Sequence, residues 1–323
     1  MSVVEKSSEI PLDPETFAFW FAPQGMTLST GDGEELALPE IPLPLFSSDV
    51  PEGSNTPSER LLGDALYEYL CRFPDCDYAA DYVEILRQAY PFLISDLGSQ
   101  LLVLDVKNTE VSAIKRKIAL LKIMLHLEAD NFGLLHKLGS AYYHLGLHPD
   151  ALAYVDNSLT LSRRWLEMAR RQRPDNVANL NLVGQVCFLC GNYHQAKLYW
   201  QSAVSLARPQ DQITPLQDQL DRLEQGRLPI QPLKLVLEKT GQAKKYFDEG
   251  EFVQAYELMD DLVRNADLVN ELPRIDVYYF LGLTREQVED YAGAYEAFMM
   301  VTQLDADHEG ARRALARIAP GEG

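Results

Sequence analysis

The residues of this sequence that could do chemistry begin with its four cysteines. Cys187 and Cys190 form a Cys-x-x-Cys pair, a spacing at which two thiolates can share a zinc ion or exchange with a disulfide. Cys71 and Cys76 form a looser pair on either side of Pro74. Four thiolates would hold zinc if the pairs met, but buried free cysteine is a common small apolar side chain. One candidate function, which we keep as the alternative to the binding function given below, is a metal- or redox-responsive regulatory accessory protein that uses Cys187 and Cys190.

The histidines and carboxylates give weaker signals. His144 and His148 are four residues apart, but Gly146 between them favours a turn, so the two imidazoles need not share a helix face. The sequence contains no Gly-rich phosphate loop, no nucleophile elbow and no His-Glu helix motif. We therefore predict a protein that is not an enzyme and that has no metal site and no cofactor.

Composition restricts the expected partners. The 323 residues include 48 Asp and Glu against 29 Lys and Arg, a formal net charge of -19. Nucleic-acid backbones and anionic lipid surfaces attract clustered Lys and Arg, so neither is expected to bind. No stretch approaches the roughly 18 consecutive apolar residues of a membrane-spanning helix, and the N-terminus does not resemble an export signal. A protein or peptide partner and a cytoplasmic location are expected.

Residues 1–55 differ from the rest of the chain. Seven prolines prevent long helices there, so we expect an irregular, acidic and aromatic N-terminal segment. Pro14 is expected to begin a short helix that contains Phe17 and Trp20. The segment 26–38 is expected to form a small hairpin around its glycines.

Helical patterns dominate after residue 55. Thr56-Pro57-Ser58-Glu59 is expected to be a capping box with Thr56 as the N-cap. Apolar residues at helical spacing predict a first helix that ends before Pro74. Three further helices are predicted over 77–90, 91–104 and 112–127. Strands and helices do not alternate along the sequence, so the body of the protein is predicted to be all-α.

Four windows of the body align with one another. Each begins with a small residue, has an alanine 12 positions later and a large apolar residue 4 positions beyond. Small residues let the two helices of a hairpin approach closely, and the large ones are expected to wedge between successive hairpins. The windows carry Gly139, Ala151 and Val155; Gly184, Ala196 and Trp200; Ala243, Ala255 and Met259; and Gly282, Ala294 and Phe298.

This pattern resembles the tetratricopeptide repeat over about residues 91–318. Gly146, Gly191 and Gly250 are expected at the turns, and 91–129 fits a degenerate repeat in which Lys117 takes the place of the small residue. The resemblance implies a right-handed superhelical α-solenoid of helix-turn-helix repeats, preceded by the irregular proline-rich segment. It also implies a concave groove, lined by the first helices, that binds a protein or peptide.

The spacing between windows is uneven and predicts the domain organisation. The intervals are 45, 59 and 39 residues, against about 34 for such repeats. The first excess predicts one long helix over 149–173, and the second predicts a seam helix over 214–227. The expected divisions are an N-terminal segment (1–55), a helical region with degenerate and clear repeats (56–209), a seam helix and linker (210–232), and C-terminal repeats with a capping helix (233–319).

Two sets of candidate binding residues follow. By the resemblance, the groove is lined by His136, Ser140, Tyr143, His144, Asn181, Gln185, Phe188, Lys244, Phe247 and Tyr279. A second candidate interface combines Trp with Arg, the residue types enriched in binding hot spots: Arg163, Arg164, Trp165, Arg170 and Arg171. The expected function is a non-catalytic interaction scaffold, or an assembly or secretion-type chaperone, that holds a protein or peptide in its groove.

Overall fold

A computed structural model of the protein describes residues 16–51, 56–106, 110–208, 210–265 and 275–318. Its contacts divide the chain into two units, Met1–Ala141 and Tyr142–Gly323. The four-part division of the sequence at residues 55, 209 and 232 stays a prediction.

The first unit begins with two small antiparallel sheets, β1 paired with β4 and β2 with β3. The second pair confirms the hairpin expected over 26–38. The expected helix around Phe17 and Trp20 is wrong, because these residues pair with a segment about 25 positions further along. The strands are β1 (Phe17–Phe21), β2 (Thr27–Ser29), β3 (Glu35–Ala37) and β4 (Pro42–Phe46).

Five helices follow, the last of which crosses into the second unit. The first of them begins two residues later than the expected capping box. Ser58 Oγ accepts the backbone N–H of Leu61 at 3.3 Å, which makes Ser58 the N-cap rather than Thr56. The Glu59 carboxylate accepts the N–H of Ser29 at 3.3 Å instead of closing a box. The helices are α1 (Glu59–Arg72), α2 (Ala79–Ala89), α3 (Pro91–Val106), α4 (Val111–Leu127) and α5 (Phe132–Leu147).

A buried lysine replaces the small residue of the degenerate repeat. Lys117 Nζ lies 2.6 Å from one carboxylate oxygen of Asp105, and Lys137 Nζ lies 2.9 Å from the other. Burial alone would raise the pKa of Asp105, but the hydrogen bonds from both lysines outweigh it and leave the pKa below its ordinary value. The carboxylate therefore compensates the charge that Lys117 brings into the helix contact.

The second unit consists of helical hairpins, and the all-α body is confirmed in the described part of the chain. The pairs α7–α8, α10–α11 and α12–α13 match the second, third and fourth sequence windows. After α5 the helices are α6 (Val155–Gln172), α7 (Val177–Leu189), α8 (Tyr193–Leu206), α9 (Gln210–Glu224), α10 (Leu233–Asp248), α11 (Phe252–Asn265), α12 (Ile275–Gln287), α13 (Tyr291–Leu304) and α14 (Glu309–Ile318). In the described ranges, no helix is both long and apolar enough to cross a membrane.

The small residues of the windows lie where the helices of a hairpin touch. The repeated alanines Ala196, Ala255 and Ala294 are fully buried. A Cβ added at Gly184 would lie 2.5 Å from the indole of Trp200 on the neighbouring helix. Gly282 stands in the same relation to Phe298. The large residues therefore pack on the small residue of their own hairpin, in addition to any contact with the next.

The turns confirm two of the three expected glycines. Gly191 and Gly250 have φ of +78° and +81°, a conformation that glycine adopts without strain. At the same position of the last window stands Glu289, with φ of +63°. Gly146 is different, because it lies inside α5, and a Cβ there would lie 3.1 Å from Cβ of Ser158. Its smallness serves helix packing and not a turn.

The long helix predicted over 149–173 is wrong at its start, where Pro149–Tyr154 forms a 3₁₀ helix before α6. This segment packs against α10. A Cβ at Gly241 would lie 2.8 Å from the backbone carbon of Leu152. Lys244 Nζ donates to the backbone oxygen of Pro149 and to Asp150, both at 3.1 Å. These contacts join the 3₁₀ segment to α10.

The helix predicted over 214–227 is present as α9, which begins four residues earlier and ends three residues earlier. It packs on α8, with Leu216 and Leu220 buried. The terminal helix α14 buries Ala311 and Ala314, while Arg317 on its outer side forms a two-pronged ion pair with Glu286. An apolar inner side beneath charged residues is what a capping helix requires.

Candidate protein-binding surface

The helix α5 carries four of the predicted groove residues, two in each unit. In the first unit, His136 stacks on Phe132 with 5.8 Å between ring centroids, and Ser140 is half-buried. In the second unit, the rings of Tyr143 and His144 meet edge to face at 5.6 Å. Tyr143 packs partly against the core, whereas His144 is exposed. In the second unit, Tyr143 and His144 therefore present an aromatic and a hydrogen-bonding group.

The predicted groove residues of α7 are engaged with neighbouring helices. Asn181 Oδ1 accepts the indole N–H of Trp200 at 3.1 Å. Phe188 contacts the ring of Trp200 at 5.7 Å, and the guanidinium of Arg222 from α9 lies 5.5 Å from the Phe188 centroid. Gln185 is half-buried. Asn181 and Phe188 therefore contribute to the packing of α8 and α9.

The predicted groove residues of α10 and α12 also make contacts within the second unit. Lys244 bonds to the 3₁₀ segment, as described above. Phe247 packs edge to face on Phe280 at 5.4 Å, which joins α10 to α12. Tyr279 lies 4.7 Å from the ring of His308 and 5.7 Å from that of Phe298. Their positions stabilise successive hairpins.

The second candidate interface lies on α6, and much of its charge has neighbours within the fold. Arg163 donates to Gln195 of α8 at 2.6 Å, and Arg170 donates to Glu167 at 2.8 Å. The guanidinium of Arg164 lies 5.7 Å from the ring of Trp165. The indole N–H of Trp165 is buried and has no hydrogen-bond partner among the described residues. Arg171, the last member, is exposed near the end of the helix.

All four cysteines are free thiols. Cys187 is fully buried, and burial raises its pKa to about 11; burial also raises the pKa of Cys190. A thiol with such a pKa is protonated at neutral pH and is a poor nucleophile. Burial likewise raises the pKa of Cys71 and of Cys76 to about 11. In the described residues, no group of three or more His, Cys, Asp and Glu side chains is arranged to hold a metal ion.

Three exposed apolar residues that the sequence analysis missed lie after α9 and at the start of α10. Ile230 is 77% exposed, and Leu228 and Leu235 are about 40% exposed. We call these three residues the seam patch. A usable sequence signal was present, because Ile230 stands between Pro229 and Pro232. Neither a helix nor a buried strand accommodates that pattern, so an exposed apolar loop could have been predicted.

The seam patch is held in place on both sides. Pro229 is buried, and Leu233, the first residue of α10, is 2% exposed. Pro232 packs against the turn glycine Gly191 so closely that a Cβ there would lie 2.8 Å from the proline ring. Anchors on either side of Ile230 fix the backbone that presents it.

Comparison with known proteins gives a limited likeness. No protein-family model matches the sequence, and no curated protein matches it. A crystal structure of a tetratricopeptide repeat protein from Parabacteroides merdae matches with 13% identity and a TM-score of 0.39, over 80% of this chain and 99% of that one. The TPR domain of P58(IPK) matches with 12% identity and a TM-score of 0.33, over 69% of this chain and 64% of that one. Both similar structures are tetratricopeptide repeat proteins, while the hairpin assignment here rests on this chain's own contacts.

Proposed function

We propose that this protein is a non-catalytic interaction module, a scaffold or an assembly or secretion-type chaperone, that binds a protein or peptide on its helical hairpins. The seam patch carries this proposal. Large apolar side chains that are exposed singly are ordinary, but three within eight residues on a fixed backbone are typical of a contact surface. A fixed backbone also lowers the entropy lost on binding.

The groove residues that keep accessible surface remain part of the proposal. Tyr143 and His144 offer an aromatic face and a hydrogen-bonding ring, and Gln185 adds an amide. Asn181, Phe188, Lys244, Phe247 and Tyr279 would act indirectly, by fixing the helices that present the surface. The same applies to Arg163 and Arg170 in the second candidate interface, whereas Arg164 and Arg171 are exposed.

The test begins with selection of binding peptides from a displayed library on the purified protein. Fluorescence anisotropy then gives the Kd of each selected peptide for the wild type and for two double variants, Ile230→Ser/Leu235→Ser and Tyr143→Ala/His144→Ala. We expect at least one double variant to raise the Kd about tenfold, corresponding to roughly 1.4 kcal/mol of lost binding free energy.

The control is Leu198→Ser on α8, where a leucine is 50% exposed outside both surfaces. It should change the Kd by no more than about twofold. The proposal fails if no peptide is selected, or if both double variants bind selected peptides as the wild type does. Phe188→Ala is unsuitable for this purpose, since removing a ring packed on Trp200 would disturb the fold.

The alternative, a metal- or redox-responsive accessory acting through Cys187 and Cys190, would need a thiolate at neutral pH. Burial opposes this for both residues. Stoichiometric zinc in the purified protein that is lost on Cys187→Ser would restore that alternative.

A further inference from the structure

The strand β1 has one paired edge and one open edge. The N–H of Ser47 donates to the carbonyl of Thr16 at 3.0 Å, which identifies this cross-strand pair as hydrogen-bonded. In an antiparallel ladder such pairs alternate along the strand, so Ala18 and Trp20 also direct their backbone groups towards β4. Phe17, Phe19 and Phe21 then direct their N–H and C=O groups away from β4.

The outer edge of β4 is largely blocked against further pairing. By the same alternation, Pro42, Pro44 and Phe46 face that edge, and the two prolines have no N–H to donate. The carbonyl of Pro42 already accepts the hydroxyl proton of Tyr82. Proline on an edge strand is one of the ways in which proteins prevent unwanted strand pairing.

The outer edge of β1 has no such protection. From Phe17 to Phe21 it contains neither proline nor a charged residue. Among the residues that the structure describes, no third strand pairs with it. An uncharged aromatic strand with an unprotected edge readily accepts another strand.

The three phenylalanines of this strand are increasingly exposed towards its C-terminal end. Phe17 is 4% exposed and stacks on Phe46 at 5.4 Å. Phe19 is 44% exposed, although its ring meets Tyr69 at 5.7 Å, and Phe21 is 65% exposed. The open edge therefore carries two uncovered aromatic rings next to a covered one.

We propose that the occupant of this edge is β1 of a second copy of the chain, antiparallel and centred on Phe19. In that register Phe19 lies opposite its own counterpart, and Phe21 of each copy lies opposite Phe17 of the other. The three pairs would form up to about six backbone hydrogen bonds. Each Phe21 ring would extend the stack of Phe17 on Phe46, and cross-strand aromatic pairs of this kind stabilise sheets.

Charge does not oppose self-pairing within this particular strand. The chain carries a net charge of -19, so most of its surface repels a second copy. The strand β1 contributes none of that charge, and the proposed register therefore sets no like charges opposite each other. This inference concerns the first unit and does not depend on the proposed peptide-binding surfaces.

The experiment uses the full chain in sedimentation equilibrium at concentrations from about 1 to 100 µM. The wild type should approach twice its 36.5 kDa mass as the concentration rises. Phe19→Lys and Phe19→Glu should each remain at the monomer mass, because each puts two like charges directly opposite one another. An equimolar mixture of the two variants should recover the doubled mass, since it pairs lysine with glutamate.

A second measurement needs no variant. Amide hydrogen exchange at Phe17, Phe19 and Phe21 should slow about tenfold or more between 1 and 100 µM protein, in step with dimer formation. Exchange at Ala18 and Trp20, which bond to β4, should not depend on concentration. This alternation reports on the edge even if a Phe19 variant fails to fold.

The proposal is overturned if the wild type stays monomeric at 100 µM. It is also overturned if a dimer forms that both single variants retain, or if folded variants fail to recover the doubled mass when mixed. Concentration-independent exchange at the three phenylalanines contradicts it as well, and would direct attention to an extended segment of a different protein as the occupant.

Discussion

Gly184 on α7 lies beneath the indole of Trp200 on α8, and Gly184→Ala tests how closely the hairpin is packed. The added Cβ would lie 2.5 Å from the indole nitrogen and 2.7 Å from its neighbouring carbon. Trp200 is 2% exposed, and its N–H bonds to Asn181 Oδ1 at 3.1 Å. The ring can make room for the methyl group only by leaving that hydrogen bond or by separating the helices.

The expected effect combines three contributions to the free energy of unfolding. Alanine is favoured over glycine inside a helix by about 1 kcal/mol. Overpacking a filled core costs about 1–3 kcal/mol, and the lost hydrogen bond costs about 1 kcal/mol. Gly184→Ala should therefore destabilise the protein by about 1–3 kcal/mol. Gly98→Ala in α3 is the matched control, because its Cβ would meet no atom within 4 Å, and it should stabilise by up to about 1 kcal/mol.

Urea unfolding followed by circular dichroism measures both substitutions. The difference in tryptophan emission between the wild type and Gly184→Ala reports on Trp200, because Trp20 and Trp165 are the same in both proteins. The two variants should move the unfolding midpoint in opposite directions. If Gly184→Ala is neutral or stabilising and leaves the tryptophan emission unchanged, the described contact between Gly184 and the indole is incorrect.

Three further predictions concern the turns, the buried charges and the thiols. Glu289→Gly should stabilise the protein by about 0.5–1 kcal/mol in urea unfolding, since it removes the strain of a left-handed backbone, and Gly250→Ala should destabilise it by a similar amount. If both substitutions changed the free energy of unfolding in the same direction, this reasoning would be contradicted. Arg285→Met should cost about 1.5–3 kcal/mol, because it removes a partner 3.0 Å from buried Asp260, which keeps Arg264 at 2.7 Å. Adding Asp260→Leu should cost less than the sum of the single changes, whereas strict additivity would show that the pair is uncoupled. Burial raises the pKa of Cys187 to about 11 against an ordinary 9, so at pH 8 it should form about a hundredfold less thiolate than an exposed cysteine and react correspondingly slowly with iodoacetamide. The contribution of the buried thiol to stability should be complete below pH 9 and be lost as the pH rises towards 11.

The helical hairpins could be predicted from the sequence because their signal is local. An alanine 12 residues after a small residue places two small side chains on facing helices, and Ala196, Ala255 and Ala294 are all buried as that pattern requires. Gly191 and Gly250 could be placed at turns for the same reason. Helix spacing and turn chemistry are both encoded within about 20 residues.

The predictions that were wrong depend on partners far away in the sequence. Phe17 and Trp20 fit one face of a helix as well as they fit a strand, and pairing with β4 decides between the two. The 3₁₀ segment Pro149–Tyr154, which replaces the predicted start of the long helix, packs through Leu152 on Gly241 of α10. Local propensity carries no information on such distant contacts.

The binding surfaces were the least predictable part. Lys244 and Phe188 occupy groove positions by their spacing, yet Lys244 pairs with Asp150 of the 3₁₀ segment and Phe188 is covered by Arg222 of the irregular seam. The exposure of Ile230 results from the same seam. A repeat pattern identifies equivalent positions, but where the repeats are interrupted those positions no longer have equivalent surroundings.

The prolines of β4 set a limit on growth of the small sheet to which they belong. After a strand has been added at β1, a further strand would have to pair with the outer edge of β4, where residues 42 and 44 have no N–H to donate. In the proposed pairing the prolines therefore oppose any strand addition beyond a single step, because on that far side only Phe46 retains an N–H. An uncharged aromatic edge strand can in this way lie at a protein surface without the open-ended polymerisation that such strands otherwise cause.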